Sequence, residues 1–256
     1  MRTTRQYTAP ALEKGLEILE LLAEEGRPMT LAQICQKLNR SKSELYRMLA
    51  VLERRGYLAR QPGSDYFHIT NRLFDLGMSV PPVGTLVEAA FPLMHELADR
   101  IQQPCHLAVV SAQRMVVVAR VESPSNVGLS VRVGHSLYLF ESSSGYILLA
   151  WMAESKRREL YDWFRAHCPQ FDGRPEEAEL AAIRERGYLR LPSRLADGVE
   201  DIGCPVFVGQ HRHVLASLTV PYLKGRGARV PIETVIEELR AYAGRLSELA
   251  GSYGGF

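Results

Sequence analysis

Residues 30–69 read TLAQICQKLNRSKSELYRMLAVLERRGYLARQPGSDYFHI, and their local patterns predict two short helices followed by a β-hairpin. Thr30 with Gln33, and Ser41 with Glu44, have the spacing of capping boxes, which satisfy the free amides at the start of a helix. After each cap, apolar residues recur every three to four positions, as one buried helical stripe requires. Because the second cap follows so closely on the first helix, the pair is predicted to form a helix-turn-helix.

A wing and an earlier helix extend this unit in both directions. Tyr57–Arg60 and Asp65–Ile69 are predicted strands, and Gln61–Ser64 between them supplies the proline and glycine of a turn. Upstream, residues 11–23 carry apolar side chains at helical spacing, which predicts a buried stripe that includes Leu12, Leu16, Ile18, Leu19 and Leu22. We therefore predict a winged helix-turn-helix domain over residues 1–75.

Positive charge is concentrated on this predicted domain. Residues 37–60 contain seven cations and two carboxylates, a net charge of +5, whereas the whole chain carries only +2. Cationic contacts to phosphate release counterions and supply much of the affinity for double-stranded DNA. A charge cluster can also be only a solvated face, but its coincidence with a helix-turn-helix and a wing favours DNA binding.

The predicted DNA contacts follow from the position of each polar residue on the second helix of the pair. Ser43, Tyr46 and Arg47 point away from the apolar stripe near the start of that helix, where a recognition helix meets base edges. Tyr46 has an alternative role, which is packing against the wing. Ser41 is mainly a cap, and the predicted phosphate contacts are Arg40, Lys42, Arg60 and Ser64.

The remainder of the chain is predicted to form a linker segment and linker helix over residues 76–102 and a second domain over 103–256. Thr85–Glu88 has the spacing of a further capping box, which would open the linker helix, and Pro92 interrupts that helix. Strand-like and helical segments then occur in separate runs, with a further strand predicted at Leu129–Val133. This pattern predicts an α+β domain built on an antiparallel sheet.

Several classes of protein are disfavoured. The four cysteines form no CxxC pair, and no signal peptide or membrane-spanning segment is recognisable, so we expect a cytoplasmic protein with no membrane partner. There is no GxSxG elbow, HExxH motif or P-loop. His211 and His213 have the spacing of metal ligands on a strand but fit a hairpin turn better. We predict neither enzymatic activity nor any cofactor or bound metal.

Several motifs in chain order resemble the IclR family of bacterial transcriptional regulators. The similar segments are Ala11–Glu20, Met29–Ile34, Ser41–Arg47, Leu52–Leu58, Val131–Gly134, Ser142–Gly145, Ile183–Tyr188, Gly198–Val199 and Gly203–Phe207. The resemblance implies a winged helix-turn-helix, a linker helix and a GAF-like effector domain with an antiparallel sheet. It also implies homodimers or homotetramers that bind near-palindromic operators, with repression the more frequent activity.

The resemblance further implies a pocket for a small organic acid. Its residues in this chain would be Tyr138, Phe140, Ser142, Ser143, Ser144, Cys204, Ser217 and Thr219. Hydroxyls and helix N-terminal amides suit a carboxylate, although serines before a glycine are equally ordinary helix caps.

Three departures from the family pattern affect this pocket. Tyr138-Leu-Phe140 replaces a Pro-Leu-His run, Tyr146 stands where a cation is common, and Arg194 stands where an acid is common. The aromatic side chains favour an aromatic or partly apolar ligand. Arg194 has two equally favoured interpretations, a cation near an anionic ligand or an exposed surface residue. Two other functions stay open, namely a DNA-binding dimer without an effector and, less favoured, an enzyme that uses the pocket.

Overall fold

A computed structural model describes residues 9–79, 83–125, 128–168, 175–209, 213–225 and 228–252. The chain divides into two compact units, Met1–Val80 and Pro81–Phe256. The division falls within the segment predicted as the linker. Among the described residues, no helix combines the length and the apolar character that a membrane span needs.

The first unit is a winged helix-turn-helix. Its elements are α1 (Pro10–Glu25), β1 (Met29–Thr30), α2 (Leu31–Leu38), α3 (Lys42–Arg54), β2 (Leu58–Arg60), β3 (Tyr66–Ile69) and α4 (Arg72–Ser79). The strands form an antiparallel sheet in the order β1-β3-β2. The predicted helices and hairpin are therefore present.

Local hydrogen bonds fix where α2 and α3 begin and end. The Thr30 N–H donates to Gln33 Oε1 at 2.9 Å, and the Gln33 N–H donates to Thr30 Oγ1 at 3.3 Å. Asn39 ends α2 in the left-handed region at φ 51°, a conformation that asparagine tolerates better than most residues. At the start of α3, Glu44 Oε2 accepts from the Ser41 N–H at 3.0 Å and from the Ser41 hydroxyl at 2.9 Å. These bonds hold the two helices at a short joint.

The core of the first unit uses only part of the predicted stripe on α1. It contains Ile18, Leu19, Leu22, Met29, Ile34, Leu45, Leu49, Leu58 and Phe67. Leu12 and Leu16, predicted to be buried, are 63% and 48% exposed. The prediction was wrong at these two positions because the apolar core of the unit reaches only the later turns of α1, where Ile18, Leu19 and Leu22 are buried.

The second unit is a six-stranded antiparallel sheet with helices. Its elements are α5 (Val83–Ile101), β4 (Cys105–Ser111), β5 (Arg114–Val121), β6 (Ser136–Tyr138), a 3-10 turn (Leu139–Glu141), α6 (Ser143–Trp151), α7 (Glu154–His167), α8 (Glu177–Arg186), β7 (Leu189–Pro192), β8 (Val199–Val208), β9 (His213–Leu223) and α9 (Ile232–Ser252). The strand order is β6-β5-β4-β9-β8-β7. This is the predicted α+β class.

Helices cover both faces of this sheet. Gly203 on β8 faces Ile147 of α6, since a Cβ added there would lie 3.1 Å from Ile147 Cγ1. The next residue, Cys204, lies beside Arg240 and Ala243 of α9. Because neighbouring side chains on a strand point to opposite faces, α6 and α9 lie on opposite sides of the sheet. The predicted linker helix α5 packs against α9 and β5 within this unit.

Two local predictions for the second unit were wrong. Residues 128–133 are not a strand. Instead, a turn around Gly134, at φ 83°, brings the Gly134 N–H to the Val117 carbonyl at 2.8 Å. Helix α5 begins at Val83, so Thr85 lies within its first turn and does not precede the helix as a cap. The turn at Gly134 matters for the site below because it positions His135.

Candidate functional site

The outer face of α3 is polar, cationic and open to solvent. Leu45 and Leu49 are buried on its inner side, whereas Lys42, Ser43, Tyr46 and Arg47 are exposed. Tyr46 is 57% exposed, which favours its predicted contact with DNA over packing against the wing. The helix therefore presents the four residues from its first turns as one accessible surface.

The positive charge on α3 is largely uncompensated. Within the described part of the chain, Lys42, Arg47, Arg54 and Arg55 form no ion pair. Arg40, just before the helix, has Nη2 3.2 Å from Glu17 Oε1, and Arg60 on the wing has Nε 3.3 Å from Glu53 Oε1. Exposed pairs of this kind contribute little stability, so both arginines can exchange a carboxylate for phosphate at small cost.

Glu44 holds the start of α3 against α1. Its Oε1 lies 2.8 Å from Lys14 Nζ on α1, and its other oxygen accepts from Ser41. The Lys14 ammonium, followed by the hydrogen bonds from Ser41, lowers the pKa of Glu44 to about 2. The carboxylate thus stays ionised at the positive end of α3 and fixes the orientation of the helix.

The wing residues predicted to contact DNA have structural roles as well. The Arg60 guanidinium lies 4.8 Å from the centre of the Phe67 ring. The Ser64 hydroxyl donates to the Gln61 carbonyl at 3.1 Å and accepts from the Tyr66 N–H at 3.4 Å. Ser64 therefore shapes the turn, and Arg60 is held at the edge of the wing.

A small cavity lies between the sheet of the second unit and the N-terminal end of α6. It has a volume of about 30 Å³. Its lining comes from β4, β5, β8, β9, the turn before β6, the start of α6 and the loop after β7. Of the predicted pocket residues, Ser142, Ser143, Ser144, Arg194 and Thr219 line it.

A row of buried polar groups crosses the sheet at this cavity. His106 on β4 pairs with Thr219 on β9 in the strand register. His106 Nε2 lies 3.1 Å from Ser144 Oγ, which lies 3.0 Å from Thr219 Oγ1. Ser217 lies behind this row, with its hydroxyl 2.9 Å from Thr219 Oγ1. The row joins the floor of the cavity to the first turn of α6.

Two buried imidazole nitrogens at the cavity, His106 Nδ1 and His135 Nε2, have no hydrogen-bond partner among the described residues. Burial, and secondarily the nearby His135, lower the pKa of His106 to about 4, so its ring is neutral near pH 7. Buried polar atoms without partners are uncommon and mark a place where a ligand or a water molecule can bind.

Acidic and hydroxyl groups complete the wall. The Ser143 hydroxyl donates to Asp201 Oδ2 at 2.9 Å, and burial raises the pKa of the Asp201 carboxyl. Ser142 caps α6, since its Oγ accepts from the Gly145 N–H at 3.0 Å. Ser142 is therefore a cap, whereas Ser143 and Ser144 present hydroxyls to the interior of the site.

Arg194 provides the cation of the cavity. Its Nη1 donates to the Phe140 carbonyl at 3.0 Å, and its Nη2 donates to the Tyr146 hydroxyl at 2.9 Å. Its guanidinium also lies 5.2 Å from the centre of the Tyr146 ring. Over the described ranges Arg194 has no ion-pair partner, so two neutral groups orient a full positive charge.

Four predicted pocket residues do not line the cavity. Tyr138 and Phe140 belong to an aromatic cluster with α7, with ring centres 5.0 Å and 4.7 Å from that of Phe164. Cys204 faces α9, because it follows Gly203 on β8 and so points to the other side of the sheet. Ser217 contacts the cavity only through Thr219. The aromatic side chains that favoured an aromatic ligand are thus absent from the wall.

The cavity is also lined by four residues that were not predicted from the sequence, namely His106, His135, Asp201 and Glu141. His106 gave a usable signal, since it is a polar residue inside the otherwise apolar run Cys105–Val110. The other three gave none, because their approach to the cavity depends on strand register and on the turn at Gly134.

A larger open groove of about 1110 Å³ lies at the end of β8, and two of its arginines, Arg157 and Arg184, are engaged in ion pairs. Arg157 donates to the Leu149 carbonyl and to Glu177, and Arg184 donates to the Ala150 carbonyl and to the same Glu177. The two arginines therefore cap the C-terminal end of α6. Within the described ranges, no cluster of three or more His, Cys, Asp or Glu side chains is arranged to hold a metal ion.

We predict that the stability of the second unit falls as pH drops from about 6.5 to 4. His106 has a lower pKa when folded than when unfolded, so over this window the unfolded chain binds a proton that the folded chain does not. The free energy of unfolding should fall by about 3 kcal/mol across the window, as integrated from ~1.4 kcal/mol per pKa unit.

Urea titrations followed by tryptophan fluorescence measure this loss, because both tryptophans, Trp151 and Trp163, lie in the second unit. His106→Gln should reduce the loss by about 3 kcal/mol. The shifted carboxyls of the unit, such as Asp201 with a raised pKa and Glu200 with a lowered one, contribute equally to both chains. An identical pH dependence in the variant and the unaltered chain would contradict a buried neutral His106.

Family comparisons match both units. Residues 11–62 match the IclR helix-turn-helix domain, and residues 83–248 match the C-terminal domain of the bacterial transcriptional regulator IclR. The chain belongs to the IclR family. It is therefore a DNA-binding transcriptional regulator.

Two named regulators match this IclR-family chain over nearly their full lengths. The regulator KdgR of Escherichia coli K12 is 25% identical over 93% of this chain and 91% of its own length. The transcriptional repressor IclR of the same strain is 22% identical over 97% and 93%. These relatives are named as regulators and not as enzymes, which agrees with the predicted absence of catalytic activity.

A solved structure shares the fold of both units. An IclR homologue from Microbacterium hydrocarbonoxydans, complexed with 4-hydroxybenzoate, has a TM-score of 0.76 at 22% identity and covers 94% of this chain and 98% of its own. The α+β architecture with an N-terminal helix-turn-helix is thus the architecture of the IclR family.

Proposed function

We propose that the chain is a cytoplasmic repressor whose affinity for operator DNA is controlled by a small organic acid bound in the cavity of the second unit. The observation that carries this proposal is an arginine without an ion-pair partner, Arg194, beside two buried imidazole nitrogens without partners. A carboxylate would pair with the arginine, and the rest of the ligand would satisfy the imidazoles.

Two related proteins support repression as the regulatory effect and an organic acid as the ligand. The E. coli relative IclR is named a repressor, and the structural neighbour from M. hydrocarbonoxydans binds 4-hydroxybenzoate, which is an organic acid. The cytoplasm is the expected location because the protein's target is chromosomal DNA.

The residues of the first unit that were predicted to contact DNA have two proposed roles, which are reading base edges and binding phosphate. Ser43, Tyr46 and Arg47 lie where base edges of the major groove would meet α3. The proposed contacts to the phosphate backbone are Arg40, Lys42, Arg60 and Ser64, whereas Ser41, at the DNA-facing end of α3, acts mainly as its cap.

A homodimer or homotetramer is the proposed assembly, because a two-fold protein reads a two-fold operator. Exposed Leu12 and Leu16 on α1 are apolar surface that such an assembly could cover. Ligand binding would change the spacing of the paired α3 helices, and a coupling free energy of about 1–3 kcal/mol is enough for a useful switch.

The test is a pair of substitutions in the cavity, Ser143→Ala with Thr219→Val. We expect acids that weaken operator binding by the unaltered chain to bind this variant at least ~10-fold more weakly, because two buried hydroxyl partners are lost. Operator affinity without acid should be unchanged. Acid affinity is measured by tryptophan fluorescence, and operator affinity by fluorescence anisotropy of labelled DNA.

The matched control makes the same chemical changes at exposed positions of the second unit, Ser155→Ala with Thr234→Val. This control should respond to acid like the unaltered chain. If the cavity variant keeps the full response, the ligand binds elsewhere. If no acid alters operator affinity, the chain is a DNA-binding regulator without a small-molecule effector.

A further inference from the structure

The cavity contains polar groups that a bare carboxylate would leave without partners. His106 is only 5% exposed, its Nε2 is already bound to Ser144, and its Nδ1 is buried without a partner. His135 Nε2 is a second such atom at the same cavity. A ligand that filled the site with carbon alone would leave both nitrogens unsatisfied, at a cost in affinity.

The protonation state of His106 indicates which ligand group belongs there. Burial keeps its pKa near 4, so the ring is neutral and offers one donor and one acceptor nitrogen. A hydroxyl can donate to or accept from Nδ1, whichever tautomer is present, whereas a carboxylate only accepts and is best stabilised by a cation. The imidazole side of the cavity therefore suits an uncharged hydroxyl.

The cavity is lined by one cation and two carboxyl groups. Arg194 is the cation, and it is oriented by Phe140 and Tyr146. Asp201 and Glu141 also line the cavity and would repel a second ligand carboxylate. This arrangement fits one carboxylate at Arg194 and hydroxyl groups elsewhere.

The shape of the cavity bears on the carbon skeleton of the ligand. No Phe, Tyr or Trp is among the described residues that line it, and its volume is about 30 Å³. A benzene ring needs a cavity of about 150 Å³. A short aliphatic chain requires less displacement of the lining side chains than an aromatic ring.

We infer that the effector is a small aliphatic hydroxy acid, with its carboxylate against Arg194 and its hydroxyls against His106 Nδ1 and His135 Nε2. This inference rests on the proposed function, which requires only that some organic acid binds the cavity. It adds that the hydroxyl groups supply much of the affinity. It also adds that His106 and His135, which were not in the predicted pocket, recognise these hydroxyls by hydrogen bonds.

The experiment compares matched acids on the full chain. Glycerate (both enantiomers) is paired with propionate, which has the same three carbons, and 2,3-dihydroxybutyrate is paired with butyrate, which has the same four carbons. 4-Hydroxybenzoate and benzoate form the aromatic pair. Binding is followed by tryptophan fluorescence and calorimetry, and each acid is also tested for its effect on operator affinity.

We expect at least one aliphatic hydroxy acid to bind ~10-fold or more tightly than its deoxy partner and more tightly than either aromatic acid. His106→Leu should reduce that preference to near one, with affinity for the deoxy acid little changed. Arg194→Leu should instead weaken hydroxy and deoxy acids alike. His167→Leu, at an exposed histidine on α7, is the matched control and should leave the preference intact.

His106→Gln guards against a folding defect in the leucine variant, since it retains a hydrogen-bonding side chain and should keep part of the preference. Equal binding of hydroxy and deoxy acids by the unaltered chain, or tighter binding of an aromatic acid, would overturn the inference while leaving the proposed function intact. If none of the six acids binds or alters operator affinity, this inference is overturned, and the broader organic-acid proposal then depends on other acids.

Discussion

Operator affinity should fall at least about 30-fold when Tyr46 and Arg47 are both replaced by alanine. Each base-reading side chain contributes about 1–3 kcal/mol of discrimination, and every 1.4 kcal/mol is a factor of ten in affinity. Both side chains are exposed on α3, so their removal leaves the core of the first unit intact. The operator is first selected from random duplexes with the unaltered chain, and affinities are then measured by anisotropy.

Two single variants show whether the loss concerns specificity. Lys42→Ala should weaken operator and random DNA alike and lower the salt slope of binding by about one, as expected for one phosphate contact. Arg27→Ala, at an exposed arginine paired with Glu25, should change neither. If the Tyr46 and Arg47 double variant still protects the operator in a footprint, α3 is not the recognition helix.

Gly145→Ala should destabilise the second unit by about 3 kcal/mol or more, or prevent it from folding. A Cβ at Gly145 would overlap the Leu139 carbonyl oxygen and lie 2.7 Å from the Leu139 carbonyl carbon. These are backbone atoms of the 3-10 turn before α6, and they cannot move aside as a flexible side chain could. Relief would shift the start of α6, and with it Ser143 and Ser144.

The matched control is Gly244→Ala on α9. Gly244 is also helical, but nothing lies within 4 Å of the position where its Cβ would be. This substitution should raise the free energy of unfolding by about 0.5–1 kcal/mol, since alanine is the better helix former. Both variants are measured by urea unfolding with tryptophan fluorescence. Equal stability of the two would mean that α6 does not pack closely on Leu139.

The two units differ in how well the sequence predicted them. The first unit was predicted nearly element by element, because Thr30, Gln33, Ser41 and Glu44 act on residues three positions away. Its errors, Leu12 and Leu16, concern which turns of α1 the neighbouring helices cover. That coverage is a tertiary property.

In the second unit the motifs indicated the right neighbourhood but not the side-chain directions. Ser143, Ser144 and Thr219 were predicted and line the cavity, whereas Cys204 is turned to the other face by the alternation along β8. Tyr138 and Phe140 were assigned to the ligand, but they pack on Phe164 of α7. The face of the sheet to which a strand residue points depends on the strand register. The spacing of residues within one motif does not reveal that register.

The sequence by itself determined the helix-turn-helix, its wing and the concentration of positive charge on α3, because caps, turns and amphipathic periodicity are interactions between near neighbours. The tertiary structure alone decided the composition of the cavity. His106 meets Ser144 across 38 residues of sequence, and Ser144 meets Thr219 across 75. These contacts exist only when β4, β9 and α6 are packed together, so the buried His106 Nδ1 without a partner could not be recognised beforehand.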